Sequence, residues 1–129
     1  MEILQIKENC LYVSDLLRTR HFYKEVIGLE LISFVEGRHV FFRAGRSVLL
    51  CFLPEVTKQE ETLPPHFAYG QQHLAFEVSQ SEYEEWKKKL TDQNIKIVHE
   101  QHWKENLYSF YFYDPDQHVL EIIPPGIWE

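Results

Sequence analysis

The stretches "VFFRAGRSVLLCF", Val40 to Phe52, and "FYFYDPDQHVLEII", Phe110 to Ile123, carry one pattern at two places in the chain. Each has an apolar run rich in aromatic and β-branched residues, a short polar turn and a second apolar run. This is the pattern of two strands joined by a tight turn. Its recurrence indicates an internal repeat, so the residues that precede each stretch can be compared.

The same order of elements precedes both stretches. In the first half, "ILQIKENCLYV" predicts a strand, "SDLLRTRHFYKEVIGL" a helix and "LELISFV" a second strand. Ser14 or Asp15 can cap this helix at its start, and Gly28 suits its end. In the second half, "HLAFEV" predicts a strand, "SQSEYEEWKKKLTDQN" a helix and "IKIVHEQ" a second strand. Ser79 and Glu82 have the spacing of a capping box.

The sequence therefore predicts an α+β fold made of two β-α-β-β-β modules. "PEVTKQEETLPPHFAYGQQ", residues 54–72, is rich in proline and charge and predicts a linker. Module 1 spans about 4–53 and module 2 about 73–124, together forming one domain over 1–129. Each module can curl its four strands into a cup with its helix outside. Two cups would then form one larger, open, cup-shaped mixed β-barrel.

Composition excludes several classes of function. The formal net charge is -7, and the basic run "KKK" at 87–89 follows "EYEE" on a predicted helix, so nucleic acid is not expected as a partner. No apolar run reaches the length of a membrane span. Cys10 and Cys51 lie in strand-like stretches and do not form a secreted disulfide framework. We expect a cytoplasmic protein that acts on a small molecule.

Glu121 is the residue that points to chemistry, because it lies within the apolar strand "HVLEII". A buried carboxylate is costly unless it is paired or bound to a metal. One interpretation is an ion pair with Arg43 or Arg38. The other is a metal site.

The repeat favours the metal site. Aligning the two modules places Glu8 opposite His73, and Leu50 opposite Glu121. One imidazole and two carboxylates suit a divalent first-row ion, and three protein ligands leave positions open for water and substrate. The alternatives are a solvated Glu8 near the N-terminus and a hydrogen-bonded His73 at a strand end.

Three stretches resemble signatures of the vicinal oxygen chelate superfamily, which includes glyoxalase I, fosfomycin-resistance thiol transferases, bleomycin-resistance proteins and extradiol dioxygenases. They are "LYVSDLLRTRHFYKEVIGLEL", "HLAFEV" and "SFYFYDPDQHVLEI", and the resemblance runs from about Leu4 to Ile123. It implies that Glu8, His73 and Glu121 hold one divalent ion. The oxygen-rich ligand set favours Mn²⁺, Fe²⁺, Ni²⁺ or Co²⁺, with Zn²⁺ also accommodated.

The chain departs from the family pattern at several positions. The first ligand position is more often His or Gln than Glu8. Leu50 stands where glyoxalase I has a fourth ligand, which weakens the glyoxalase interpretation. Gln117 replaces the glycine of "DPDGH". The loop before "SFYF" is short and no basic tail follows Glu121, which weakens the fosfomycin interpretation. The retained ligand set argues against the bleomycin-binding class.

Alternation along the strands selects the residues that would line the hollow of the barrel. Arg43 could clamp a carboxylate or phosphonate, or form a salt bridge to Glu77 or Glu8. Tyr111 and Tyr113 could donate hydrogen bonds to an oxyanion, or only fill the barrel. His102 and Trp103 could close over its mouth. The predicted substrate-binding residues are His39, Phe41, Arg43, Ser109, Tyr111 and Tyr113.

Two hypotheses remain open. The first is a metalloenzyme of lyase, thiol transferase or dioxygenase type, in which Glu8 or Glu121 also transfers protons. The second is a metal-free protein that sequesters an apolar or aromatic compound. In either case the resemblance implies a homodimer with part of each cavity near the interface, and the apolar tail residues Ile127 and Trp128 are expected to cover a surface.

Overall fold

The computed structural model describes residues 1–129 and contains two compact units, residues 1–70 and 71–129. The elements of the first unit are β1 (Glu8–Tyr12), α1 (Leu16–His21), a π-helical turn (Phe22–Ile27), β2 (Glu30–Val35), β3 (His39–Ala44), β4 (Ser47–Phe52) and α2 (Pro54–Thr57). Those of the second are β5 (His73–Glu77), a 3₁₀ turn (Gln80–Glu82), α3 (Tyr83–Asp92), β6 (His99–Lys104), β7 (Leu107–Tyr113) and β8 (Val119–Ile123). The prediction of two β-α-β-β-β modules is confirmed.

Both sheets have the same topology. Their strand orders are β1-β4-β3-β2 and β5-β8-β7-β6, and in each the first strand runs parallel to the fourth. The register also agrees, because Cys10 pairs with Leu50 in the first sheet and Ala75 pairs with Glu121 in the second. The predicted equivalence of Leu50 and Glu121 is therefore confirmed at the level of strand pairing.

Local sequence signals set both ends of the first helical segment. Asp15 caps its start, where the side chain accepts a 3.0 Å hydrogen bond from the backbone N–H of Arg18. Gly28 ends it with φ 95°, the left-handed conformation that favours glycine. Between them the helix widens into a π-helical turn, which the helical pattern did not predict. This turn buries Phe22, Tyr23 and Ile27.

The second sheet packs one face against α3. Tyr83 of α3 and Phe110 of β7 are buried and lie 5.4 Å apart between ring centroids. Phe112 shares the face of Phe110, because alternate strand residues point the same way. Tyr111 lies between them and therefore points to the other face, which is the face that carries the candidate site. None of the helices is long and apolar enough to cross a membrane.

Two boundaries in the second unit differ from the prediction. Ser79 makes no capping bond to the backbone; its hydroxyl lies 3.3 Å from that of Ser81, and a 3₁₀ turn precedes α3. Strand β6 begins at His99, so that "IKIV" joins the helix to the strand instead of forming its start. The start of β6 is set by its pairing with β7, which begins at His99 opposite Tyr111.

Candidate functional site

A row of side chains crosses the face of the second sheet that lies opposite α3. His99 pairs with Tyr111, Tyr111 with Glu121, and Glu121 with Ala75, so these four residues lie in register across four strands. Side chains in register project to one face. Imidazole, phenol and carboxylate groups are thus placed side by side on this face.

His73 and Glu121 are in direct contact at this row. Nε2 of His73 lies 3.3 Å from Oε2 of Glu121. Nδ1 of the same ring lies 2.8 Å from the carbonyl oxygen of Val119. A carbonyl only accepts, so Nδ1 carries the hydrogen and Nε2 of the neutral ring presents its lone pair to the carboxylate. A cation, either a proton or a metal ion, is needed between these two electron-pair donors.

Glu121 is a buried carboxylate with one oxygen atom that makes no hydrogen bond. Its side chain is 6% exposed, and its Oε1 atom is buried without a hydrogen-bond partner. Leaving such an oxygen unsatisfied costs about 1–3 kcal/mol or more. Arg38, one of the two arginines considered as its partner, instead holds Glu60 at 2.6 Å. The donor set therefore fits a metal ion: Nε2 of His73 with its tautomer fixed by a backbone carbonyl, and a carboxylate with a free oxygen.

Tyr111 and Ser109 stand beside this pair on β7. Burial raises the pKa of Tyr111, the hydrogen bond of Ser109 offsets part of the rise, and the charge of Glu121 and a hydrogen bond to its carboxylate add to it. Ser109 is fully buried and accepts a 2.8 Å hydrogen bond from the indole Nε1 of Trp103. Sequence reasoning placed Trp103 near the mouth of the hollow but missed this bond, because it joins two strands across a bulge. It also missed His99, whose place beside Tyr111 depends on the observed register of β6.

The predicted residues of the first unit lie on β1 and β3. Glu8 opens β1 and is exposed, and its charge adds to the effect of burial in raising the pKa of the Cys10 thiol. Burial and the neighbouring Cys10 raise the pKa of Tyr12 to about 12. Arg43 of β3 is exposed, as is Tyr113 on β7 of the second unit.

His39 is fixed by its own neighbours. Its Nδ1 lies 2.6 Å from Nη1 of Arg38, and its Nε2 lies 3.0 Å from Oγ of Ser33. Arginine only donates, so Nδ1 accepts and Nε2–H donates to the serine. The ring stacks on Phe41 with 3.8 Å between centroids. Both nitrogens are therefore occupied, and the ring itself is buried, with only 7% of the residue exposed.

The structure contains no group of three or more histidine, cysteine, aspartate or glutamate side chains that could hold a metal ion. It brings together two of the three predicted ligands, His73 and Glu121, with Ser109 and Tyr111 beside them. The contribution of Glu8 stays a prediction, and so do the substrate contacts of Arg43, Tyr113, Phe41 and His39.

Several known proteins are similar to this chain in sequence or in structure. A family model described as the glyoxalase/bleomycin resistance protein/dioxygenase superfamily matches residues 3–122. The metallothiol transferase FosB of Staphylococcus saprophyticus is 29% identical over 85% of this chain and 70% of its own length. A lactoylglutathione lyase structure from Agrobacterium tumefaciens is 32% identical, with TM-score 0.94 over 99% of this chain and 98% of that one.

A more distant structure shares the fold and contains a metal. The fosfomycin resistance protein FosX from Listeria monocytogenes, as a mutant in complex with Mn(II) and 1S,2S-dihydroxypropylphosphonic acid, is 21% identical, with TM-score 0.72 over 98% of this chain and 96% of that one. At this low sequence identity, the similarity shows that the two proteins share a fold. The ligand of that structure carries two hydroxyl groups on neighbouring carbons.

Proposed function

Since this chain belongs to the glyoxalase/bleomycin resistance protein/dioxygenase superfamily, we propose that it is a divalent-metal enzyme that acts on a small molecule with two vicinal oxygens. The observation that carries the proposal is the His73–Glu121 pair, in which Nε2 faces Oε2 at 3.3 Å and Oε1 is buried without a partner. The names of the similar proteins support it, since one is a metallothiol transferase and one structure contains Mn(II).

His73 would bind the ion through Nε2 and Glu121 through its carboxylate, with Glu8 as the third ligand. The site combines one neutral imidazole with two carboxylates, which suits Mn²⁺, Fe²⁺, Ni²⁺, Co²⁺ or Zn²⁺. When bound, the ion supplies a Lewis acid that polarises the two substrate oxygens. The hydrogen bond from Nδ1 to the Val119 carbonyl keeps the ring oriented for this role.

The remaining residues would bind the substrate and hold protons. The hydroxyl of Tyr111 is protonated at neutral pH, and burial raises its pKa further, so it can donate a hydrogen bond to a developing oxyanion. Glu121 or Glu8 would accept a proton as base if one of them detaches from the ion. Arg43 would bind an anionic group of the substrate, and Ser109, Tyr113, Phe41 and His39 would contact its remainder.

Thiol chemistry is the reaction class that we favour. The names of two similar proteins, a metallothiol transferase and a lactoylglutathione lyase, both refer to thiol compounds. Leu50 stands where a fourth ligand would lie, which favours transfer over the glyoxalase reaction. We propose that the protein acts in the cytoplasm. Neither Cys10 nor Cys51 forms a disulfide bond, as that compartment favours.

A metal-free binding protein is the second candidate. The first unit carries an aromatic cluster in which Phe41 stacks on His39 and meets Phe52 edge-on at 5.3 Å. His39 and Phe52 are buried, so Phe41 is the member of this cluster whose ring could contact a flat apolar compound without any metal.

Calorimetric titration of protein purified without a histidine tag tests the proposal. We expect one equivalent of Mn²⁺ or Ni²⁺ to bind the wild type, and His73→Ala and Glu121→Gln to lose this binding. Glu85→Gln is the matched control, since Glu85 is exposed on α3, which packs on the other face of the sheet, and should not affect binding. Consumption of glutathione in the presence of fosfomycin then tests the reaction class. A wild type that binds aromatic compounds but no metal would establish the second candidate instead.

A further inference from the structure

A β-bulge places Trp103 at the edge of the second sheet. Gln101 pairs with Ser109 and His102 with Tyr108, but the next pair is Lys104 with Leu107. Trp103 is therefore the extra residue of the bulge. Such bulges redirect the side chain of the inserted residue, and they are common next to active sites.

The indole of Trp103 is hydrogen-bonded through its ring nitrogen, and much of its remaining surface is exposed to solvent. Its Nε1 donates to Oγ of Ser109 at 2.8 Å, and that serine is fully buried. Trp103 nevertheless leaves 42% of its residue surface exposed. A tryptophan that only filled the core would be buried; this one is held in a fixed orientation with a large part of its surface available.

The anchor lies next to the candidate site. Ser109 is two residues from Tyr111 on β7, and Tyr111 pairs with Glu121. Ser109 and Glu121 are thus diagonal neighbours on one face, a relationship that separates residues by about 7–8 Å. The width of an indole spans much of this distance. A molecule bound at His73 and Glu121 would therefore extend towards Trp103.

We propose that Trp103 is a specificity-determining residue, whose exposed indole stacks on a planar apolar group attached to the chelating oxygens of the substrate. This inference rests on the proposed metal-dependent function. It adds the chemical class of the substrate: a small molecule with two vicinal oxygens next to a flat apolar group, in preference to one with a small alkyl group.

Two hydroxamates that share a chelating group test this preference. Acetohydroxamate carries a methyl group and benzohydroxamate a phenyl ring beside the same two oxygens. The affinity of the Mn²⁺-loaded protein for each is measured by calorimetry, and the ratio of the two dissociation constants is compared between variants. We expect Trp103→Ala to reduce the preference for benzohydroxamate roughly two- to twelvefold, the range that stacking supplies. The affinity for acetohydroxamate should stay the same.

Two further variants keep the test specific. Trp103→Phe retains a ring and should keep most of the preference, whereas Trp86→Ala removes a tryptophan from α3, on the other face of the sheet, and should change nothing. If Trp103→Ala does not fold, Trp103→Leu takes its place with the same expectation. An unchanged ratio in a variant that still binds Mn²⁺ would overturn the role of Trp103 alone. A wild type that binds no Mn²⁺ would overturn the proposed function and this inference with it.

Discussion

Nε2 of His73 faces Oε2 of Glu121 across 3.3 Å, while Nδ1 of the same ring is hydrogen-bonded to the backbone carbonyl of Val119. The backbone thus decides which ring nitrogen is left to meet the carboxylate. In metal-free protein the two groups can share a proton, and in metal-bound protein they can share the ion. These states respond differently to removal of the carboxylate charge.

Glu121→Gln should leave the metal-free protein as stable as the wild type or more stable. The amide N–H can donate to Nε2 of His73, and a buried charge disappears. The measurement is the thermal unfolding temperature in excess EDTA. A loss of about 3 kcal/mol would mean instead that Glu121 serves a structural ion pair with a protonated His73.

His39 should make the protein less stable in mild acid. Burial, and secondly the charge of Arg38, lower the pKa of His39 below its ordinary value of 6.5. At a pH between the folded-state and the unfolded-state pKa of His39, the unfolded chain binds more protons than the folded protein. The stability that His39 contributes is therefore complete above pH 6.5 and is lost as the pH falls towards the folded-state pKa. Urea unfolding at pH 7.5 and pH 5.5 should show a smaller loss for His39→Gln than for the wild type. His21→Gln, at an exposed histidine of α1, should behave like the wild type.

Thr19→Val should stabilise the protein by about 1 kcal/mol. Thr19 is fully buried in α1, and its hydroxyl has no hydrogen-bond partner. Valine has nearly the same shape and removes the unsatisfied group. Chemical denaturation measures the change; Thr19→Ser, which keeps the hydroxyl and removes a methyl group, should be destabilising. A destabilised Thr19→Val variant would show that the hydroxyl has a partner such as a buried water.

Gln117→Gly should stabilise the protein by about 0.5–1 kcal/mol through the turn between β7 and β8. Glycine removes the steric cost of the left-handed backbone conformation, but it also increases the conformational entropy of the unfolded chain, which offsets part of the gain. Gln117 has φ 67°, and Asn94 has a similar φ of 62°. Asparagine tolerates this conformation better, so Asn94→Gly is the matched control and should gain less. Equal gains from both substitutions would refute the explanation.

Trp128→Ala should weaken self-association. We propose a homodimer, and Trp128 is 86% exposed near the end of the chain, as expected for a side chain that covers a second surface. Light scattering over a concentration series measures the dissociation constant, which should rise. An unchanged constant would remove the tail from the interface, and a monomer at micromolar concentration would contradict the dimer itself.

Features that depend on a few neighbouring residues were predictable from the sequence. Asp15 and Gly28 act within one helical turn, and both have the predicted roles. The burial of Glu121 followed from the apolar run around it, and its equivalence to Leu50 followed from comparison of the modules, because two copies of one pattern constrain each other.

Features that depend on contacts between strands were not predictable. The bulge at Trp103 exists because β6 pairs with β7 in one register, and nothing in "EQHWKEN" specifies that partner. The π-helical turn likewise reflects the burial of Tyr23 and Ile27 against the first sheet more than any local signal. The two candidate ligands that touch, His73 and Glu121, lie on adjacent paired strands; the third, Glu8, belongs to the other unit.

The shared register of the two sheets has an evolutionary consequence. Cys10 and Leu50 occupy in module 1 the places that Ala75 and Glu121 occupy in module 2, and Glu8 occupies the place of His73. The backbone that supports the candidate pair is therefore present twice. In module 1 the place of Glu121 is taken by the apolar side chain of Leu50. Substitution of Glu8 by His and of Leu50 by Glu would transplant the pair without altering the fold. A lineage with this architecture could therefore duplicate its reactive pair by two point changes and erase it by one.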